Sequence, residues 1–262
     1  MNQPTCEELR AFEAALALAA RVLRDKPSAD LLTALAGARH LLLEEPFSTL
    51  APKAAGELSA YLAAFAADGD AADEQAEACL HEVKQDYAYL FYQISMSGTS
   101  PYESVYRTID RTMFGPTTLE VRAAYRSWGL ELPTKASEPD DHFGLEASFV
   151  AYLLGQAADA LENADSDAAS LAAASDSDVR GAAHDECGSA DTAARALAAA
   201  CDFLSDHLLV FAPVYLTAVE GRARTPLYRC TAPIAWAALE TLAQRLGARA
   251  SAEPVLTVDT SE

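Results

Sequence analysis

The chain has 262 residues, 51% of them hydrophobic, which is enough apolar material to bury a large core without disulfide bonds. Glycine and proline, at 12 residues each, are too scarce for a collagen-like chain, a low-complexity chain or an all-β fold with many turns. The formal net charge of −20 repels phosphate, so we expect no nucleic-acid partner and no partner at an anionic membrane surface. Such a field attracts a cationic peptide or a basic patch on another protein, although acidity also serves solubility alone.

The cysteines and the N-terminal residues indicate a cytoplasmic protein. The five cysteines form an odd set without a CxxC pair or zinc-knuckle spacing, which is typical of reduced thiols. The N-terminal stretch has no basic segment followed by an apolar one, and charged residues interrupt the later Ala/Leu-rich stretches. We therefore expect neither a signal peptide nor a stable insertion into a membrane.

Apolar residues recur at spacings of three and four along most of the chain, which predicts helices rather than strands. The fold class is therefore predicted to be all-α, a helical bundle of about nine or ten helices. The predicted helices cover residues 6–25, 28–43, 50–67, 73–95, 101–111, 117–128, 142–162, 192–219 with a bend or break at Pro213, and 226–249 with an interruption near Pro233.

Three S/T-x-x-E sequences predict capped helix starts. In such a capping box the hydroxyl accepts from a free backbone amide, and the glutamate reaches back to the amide of the capping residue. The three pairs are Thr5 with Glu8, Ser100 with Glu103, and Thr117 with Glu120.

The composition changes in the second half of the chain and sets the predicted domain organisation. Residues 163–191 are rich in Ser, Ala, Asp and Gly, so we expect a solvated or disordered acidic insertion of low complexity. Residues 1–162 then form an N-terminal helical part, residues 192–250 the C-terminal helices of the same domain, and residues 251–262 a polar tail. A division into two lobes, before Glu138 or at the insertion, is the alternative.

The common catalytic motifs are absent from the sequence. It contains no phosphate-binding loop, no dinucleotide-binding glycine motif, no GxSxG or HExxH sequence and no EF-hand loop. We therefore expect no enzymatic activity, no catalytic residue, no metal site and no cofactor.

The segment from Glu138 to His142 is the exception, because it joins three carboxylates and an imidazole to Pro139, with Glu146 one turn further on. One interpretation is structural: Asp140 or Asp141 caps the helix that follows. A second, compatible with the first, is binding of a partner. A third is a metal site or a proton relay through His142 and Glu146, which share a helix face.

A second unusual segment, DYAYLFYQ, holds too many large rings for one helix face. If Tyr87, Leu90 and Phe91 face inward, Tyr89 and Tyr92 lie around the outside of the helix. Ordinary core packing explains such rings, and so does an apolar groove with acidic neighbours that binds a peptide.

Taken in order, these segments resemble the TorD/DmsD family, a family of cytoplasmic all-helical chaperones for molybdenum-containing oxidoreductases. The resemblance extends over residues 73–246 and includes a weaker likeness at Phe203-Leu204 and His207-Leu208. The motifs that carry it are Tyr87-Ala88-Tyr89-Leu90-Phe91, Ser100-Pro101-Tyr102-Glu103-Ser104-Val105-Tyr106, Tyr125 with Gly129-Leu130, and Glu138-Pro139-Asp140-Asp141-His142.

The resemblance implies a chaperone that binds the twin-arginine leader and the apo form of a molybdoenzyme catalytic subunit. It would support cofactor insertion and proofreading before export, in a setting such as anaerobic respiration. An acidic surface with Glu138, Asp140 and Asp141 beside an aromatic groove complements a leader with a basic start and an apolar middle. The residues implied to bind the leader are Tyr87, Leu90, Phe91, Pro101, Tyr102, Glu138, Pro139, Asp140, Asp141 and His142.

Two other functions remain open on the sequence alone. One is a helical adaptor or regulatory scaffold with a different protein client, and the other is an enzyme that uses His142 with neighbouring carboxylates. A monomer is expected, with a domain-swapped dimer as the alternative.

Overall fold

The computed structural model describes residues 4–66, 70–93, 98–132, 138–173 and 185–255. The structure is 77% helical, and within these ranges it contains no strand. The predicted all-α fold is therefore confirmed. The α-helices are α1 (Cys6–Arg24), α2 (Ala29–Gly37), α3 (Phe47–Leu50), α4 (Pro52–Leu62), α5 (Asp70–Tyr87), α6 (Ser104–Arg107), α7 (Pro116–Ser127), α8 (Phe143–Ala173), α9 (Asp185–Phe203), α10 (Leu209–Arg222) and α11 (Pro226–Leu246).

Two π-helical turns and two 3₁₀ turns complete the described helices. One π turn, Ala88–Tyr92, follows α5 directly. The other, Leu204–Leu208, joins α9 and α10 into one continuous helix, so the described ranges hold ten separate helices, as expected. The 3₁₀ turns cover Arg39–Leu43 and Ala63–Phe65.

The long helix α8 lies between α1 and α9 at the centre of the fold, and α11 packs against α1, α4 and α10. Buried apolar residues from Leu9 to Ala248 form one continuous core. Gly144 and Gly155 face α1, where a Cβ atom on Gly144 would lie 2.7 Å from the Cβ atom of Arg24. The two glycines therefore let α1 and α8 approach closely.

One of the three predicted capping boxes is confirmed. The Glu8 amide donates to Thr5 Oγ1 at 3.2 Å, and Glu8 Oε2 accepts from the Thr5 amide at 3.0 Å. The other two predictions are wrong. α7 begins at Pro116 without a side-chain cap, and the buried Glu103 faces the core instead of the amide of Ser100.

The predicted insertion over residues 163–191 is helical at both ends. α8 continues to Ala173 and α9 begins at Asp185, so the expected helix end near Glu162 is wrong. The high helix propensity of alanine explains the extension. The remaining part, residues 174–184, lies outside the described residues.

The prolines in the last helices do not interrupt them. Pro213 lies inside α10 and Pro233 inside α11, and both helices are continuous, so the predicted interruption near Pro233 is wrong and the chain is not broken at Pro213. A helical proline removes one backbone hydrogen bond. Burial of most residues around each proline outweighs that loss.

One helix, Gly188–Arg222, is long and apolar enough to cross a membrane, with a mean hydropathy of 1.5. Half of that apolar window is buried inside the protein. Core helices pass the same test, so this is weak evidence for a membrane span.

Cys79, Cys201 and Cys230 are free thiols, and the side chain of Cys187 lies outside the described part. Burial raises the pKa of the Cys230 thiol to about 11. This thiol is therefore protonated at neutral pH and poorly nucleophilic.

Candidate functional site

The two motif segments that are 40 residues apart meet in the fold. Tyr102 and His142 pair in an isolated antiparallel β-bridge, and the Phe143 amide donates to the Pro101 carbonyl at 2.7 Å. The rings of Tyr102 and His142 pack edge to face with centroids 5.3 Å apart. Tertiary structure thus brings together two of the segments that the sequence analysis singled out.

Asp141 is fully buried at the centre of this junction. Its carbonyl oxygen accepts from the Glu103 amide at 2.9 Å, and its Oδ2 atom accepts from the Ser104 amide at 2.8 Å. Its Oδ1 atom accepts from the Thr118 hydroxyl at 2.9 Å. The side chain therefore caps α6 and ties it to α7, and it does not cap α8 as one interpretation predicted.

Asp140 is also buried, with 4% of its surface exposed. Its carboxylate forms an ion pair with Arg122 at 2.6 Å, and its carbonyl accepts from the Tyr125 hydroxyl at 3.0 Å. The expectation that Asp140 and Asp141 form an acidic surface is therefore wrong. Both carboxylates are already satisfied within the protein.

His142 takes the capping position that was predicted for an aspartate. It is 4% exposed, and its Nδ1 atom accepts from the Gly144 amide at 3.0 Å, in the first turn of α8. Burial and the nearby guanidinium of Arg24 lower its pKa to about 3, so the ring is neutral at physiological pH. Its proton is on Nε2, which lies 3.6 Å from Glu138 Oε1.

Glu138 is the one of the three motif carboxylates that reaches the surface, with 31% of its side chain exposed, whereas Pro139 is buried. Its Oε2 atom accepts from Arg24 Nε at 3.0 Å. The carbonyl of Arg24 in turn accepts from the Tyr87 hydroxyl at 2.8 Å. Arg24, at the end of α1, therefore links the aromatic segment to the segment that contains His142.

The orientation of the aromatic segment agrees with the prediction. Tyr87, Leu90 and Phe91 are buried, Tyr89 is half-buried, and Tyr92 is 61% exposed. The rings of Tyr87 and Phe91 pack edge to face at 5.0 Å. The π turn widens this stretch, so three of its residues reach the core while two rings stay at the surface.

Cations, rather than the expected acidic groups, flank the two outer rings. The guanidinium of Arg224 lies 4.0 Å from the centroid of the Tyr89 ring. The Lys26 ammonium lies 5.9 Å from the centroid of the Tyr92 ring. Glu138 places a negative charge at this surface, and an ion pair with Arg24 neutralises that charge.

A buried polar cluster behind the bridge was missed by the sequence analysis. Glu103 is fully buried, and its carboxylate binds Arg107 at 2.6 Å and His207 Nδ1 at 2.9 Å. Glu146 is fully buried, and burial together with nearby Glu103 and Asp141 raises its pKa well above the usual range. The likeness at His207-Leu208 was the available signal, since it placed the histidine in a family motif.

Within the described residues, no three His, Cys, Asp or Glu side chains are arranged to hold a metal ion. Asp141 and His142 instead satisfy backbone amides. The chemistry of this site is therefore hydrogen bonding and packing.

A protein-family model covers the part of the chain that contains these residues. A family model described as nitrate reductase delta subunit matches residues 44–216, which is more than half of the chain. The chain belongs to this family. The match contains both motif segments and confirms the resemblance to the TorD/DmsD-type molybdoenzyme maturation chaperones.

The sequence analysis placed the resemblance at residues 73–246. The family match begins earlier, at residue 44, and also ends earlier, at residue 216. The family is one of cytoplasmic chaperones, and its members act on a molybdoenzyme catalytic subunit rather than as catalytic enzymes. No curated protein matches the sequence.

Proposed function

We propose that this chain binds the twin-arginine leader of a molybdoenzyme catalytic subunit. It holds the apo-subunit ready for insertion of the molybdenum cofactor and releases it for export afterwards. The observation that carries the proposal is the family match over residues 44–216, because it assigns a client of this class. The function is one of binding in the cytoplasm, without catalysis and without a cofactor of its own.

The leader's apolar middle is proposed to pack against the surface that includes Tyr92, Tyr102 and Glu138, which is named here the motif surface. Tyr102 lies within electrostatic range of Glu138 and Tyr92, and its burial, together with these neighbours, raises its pKa to about 12. Tyr102 is therefore a neutral phenol that offers a ring and a hydroxyl. The buried predicted residues hold this surface in shape, and they are Tyr87, Leu90, Phe91, Pro101, Pro139, Asp140, Asp141 and His142.

The physical roles of ring and charge differ in such a complex. Aromatic rings that become buried on binding supply most of the affinity and set the residence time. Charges at the rim mainly speed the encounter, because their fields act before contact. The acidic chain as a whole therefore attracts the basic start of the leader, and the rings retain its apolar part.

The proposal is tested by calorimetric titration with the synthetic leaders of the molybdoenzyme subunits encoded with this chain. Each leader is compared with a version that carries two lysines in place of the two arginines. We expect saturable binding of one leader at one site per chain. Binding of none of them would contradict the proposal and favour an adaptor with a different client.

Two exposed rings give a matched pair of variants for this titration. Tyr92 is 61% exposed on the motif surface, and Phe114 is 64% exposed on a different loop. We expect Tyr92→Ala to raise the Kd for the leader about 5- to 10-fold, since a ring at a binding surface contributes about 1 kcal/mol or more. Phe114→Ala should leave the Kd unchanged within about twofold. The reverse pattern would place the leader elsewhere.

A further inference from the structure

Two neighbouring cavities open on the face that α7, α8 and α9 share. One, of about 220 Å³, is here named the acidic pocket, and the other, of about 270 Å³, the apolar pocket. The acidic pocket is lined by Ser127, Trp128, Asp202, Phe203, Asp206 and His207. The apolar pocket is lined by Tyr125, Leu130, Leu132, Leu145 and Tyr152, with Glu131 and Ser148 as its polar members, and Phe149 lines both pockets.

The two pockets adjoin each other and are together named the groove. Phe149 contributes to the wall of each. Trp128 of the acidic pocket and Tyr152 of the apolar pocket pack edge to face with centroids 6.3 Å apart. A ligand that fills one pocket therefore borders the other.

The carboxylates of the acidic pocket are exposed and available. Asp202 and Asp206 are four residues apart, at the end of α9 and in the π turn that follows. In the ranges that the structure describes, neither carboxylate has a hydrogen bond or an ion pair. This contrasts with Asp140 and Asp141, whose oxygens are already used.

His207 is the second observation that points to a ligand. Its ring is 7% exposed and lines the acidic pocket. Its Nδ1 atom is held by the buried carboxylate of Glu103 at 2.9 Å, which fixes the ring orientation. Within the described part of the chain, its Nε2 atom has no hydrogen-bond partner.

These groups fit a guanidinium. The pocket offers the two carboxylates as acceptors, and its walls include the imidazole of His207 and the rings of Trp128 and Phe203. Arginine is planar, carries five donors and stacks on aromatic rings, so it fits this combination better than lysine does. Two cations of this chain already lie at the pocket: Arg195 is 4.4 Å from the Trp128 centroid, and Arg107 donates to the Asp206 carbonyl. Arg107 is paired with the buried Glu103, so Asp202 and Asp206 still leave the pocket negative.

We infer that this groove binds a peptide in which an arginine precedes apolar residues, with the arginine in the acidic pocket and an apolar side chain in the neighbouring one. The identification of that peptide with the client's leader rests on the proposed function. The leader's arginine is then recognised by Asp202 and Asp206 rather than by Asp140 and Asp141. Tyr125 connects this groove to the motif segment, since its hydroxyl binds the Asp140 carbonyl.

The test uses the double variant Asp202→Asn, Asp206→Asn in the full chain. The matched control is Asp30→Asn, Glu240→Gln, which removes two charges from exposed residues of α2 and α11. Both variants raise the formal net charge from −20 to −18. Leader binding and its preference for arginine over lysine are measured by calorimetry.

We expect the double variant to bind the arginine leader at least 10-fold more weakly and to lose most of its preference over the lysine version. The control should change the Kd by less than about twofold, because distant surface charges are screened. Equal losses of leader affinity in the double variant and the control would mean that the net charge of the chain, and not the position of the two carboxylates, determines the affinity. Wild-type affinity and preference in the double variant would overturn the groove and leave the proposed function intact.

A leader-independent probe separates the two proposals. N-acetyl-Arg-Arg-Leu-Leu-amide is added to the full chain, and the indole N–H resonances of its two tryptophans are followed by NMR. We expect the Trp128 resonance to shift saturably and the Trp236 resonance, on α11, to stay in place. If no leader binds but this shift occurs and is lost in the double variant, the groove stands without the proposed function. No shift of Trp128 would overturn the groove.

Discussion

At the scale of single residues, His142 and Glu146 show how burial sets opposite responses to pH. Both are nearly or fully buried at the start of α8. Burial lowers the pKa of His142 to about 3, so its ring is neutral near pH 7, and burial raises the pKa of Glu146 well above its usual range. As the pH falls below the ordinary pKa of histidine, the unfolded chain binds a proton at His142 that the folded chain does not bind, so the unfolding free energy decreases. The raised pKa of Glu146 acts in the opposite sense, because its contribution to the unfolding free energy is lost as the pH rises.

The sign for His142 gives a prediction about acid stability. The pKa of His142 is lower in the folded chain than in the unfolded chain. Its contribution to the unfolding free energy is therefore present above about pH 6.5, the ordinary pKa of histidine, and is lost as the pH falls toward 3. We expect His142→Asn, which keeps an acceptor for the Gly144 amide, to remove this loss. Between pH 7 and pH 5 the wild-type chain should lose about 2 kcal/mol more unfolding free energy than the variant.

Urea unfolding followed by circular dichroism at the two pH values measures this difference. His40→Asn serves as the control, because His40 is exposed and should behave like the wild type. An equal loss of stability in His142→Asn and wild type would show that the ring is not buried in its neutral form.

At the scale of elements, the approach of α1 to α8 depends on the absence of a side chain at Gly144. A Cβ atom there would lie 2.8 Å from the Ala20 carbonyl oxygen as well as against Arg24. The carbonyl belongs to a helix backbone and cannot rotate away. The same contact positions Arg24 for its ion pair with Glu138.

We therefore expect Gly144→Ala to lower the unfolding free energy by about 1–3 kcal/mol, the usual cost of overpacking. Gly56 is the matched control, because it lies inside α4 and has no atom within 4 Å of an added Cβ. Gly56→Ala should raise stability by about 0.5–1 kcal/mol through helix propensity. Chemical denaturation of the two variants measures both effects, and equal changes would contradict the close contact.

Helix ends depend on partners as much as on local sequence. Asp86 of α5 is buried, and its Oδ2 atom accepts from the amides of Arg224 at 3.0 Å and Thr225 at 2.7 Å. It thereby fixes the two residues that precede α11 from a position 139 residues earlier in the chain. No local sequence pattern predicts such a contact.

At the scale of the whole molecule, the net charge of −20 is unevenly distributed. Lys26 and Arg224 lie beside the exposed rings of the motif surface, whereas Asp202 and Asp206 lie at the acidic pocket. The overall field therefore draws in a basic peptide, and the local charges orient it. A long-range effect of this kind is weakened by salt.

We expect the association rate of the leader to fall about 10-fold between about 50 mM and about 500 mM salt. Added salt shortens the Debye length and so screens the attraction between the acidic chain and the basic start of the leader. The dissociation rate should change less than about threefold, since it depends on buried contacts. Stopped-flow fluorescence measures the association rate. A salt effect confined to dissociation would contradict steering by the net charge.

The sequence alone determined the features that depend on neighbours within a few turns. Helical periodicity predicted an all-α chain, because side chains three and four residues apart share a face. It also allowed Tyr87, Leu90 and Phe91 to face inward together, and the structure has them buried. The Thr5/Glu8 cap was predicted for the same reason. The motifs, read in order, also identified the family that the comparison confirmed.

Only the tertiary structure decided where the polar side chains point. Asp141 binds Ser104, 37 residues away, and His207 binds Glu103, 104 residues away, so neither partner follows from local spacing. The acidic pocket likewise joins Trp128 to Asp206 across two helices. A buried carboxylate binds the donor that packing brings within reach, and packing depends on the whole chain.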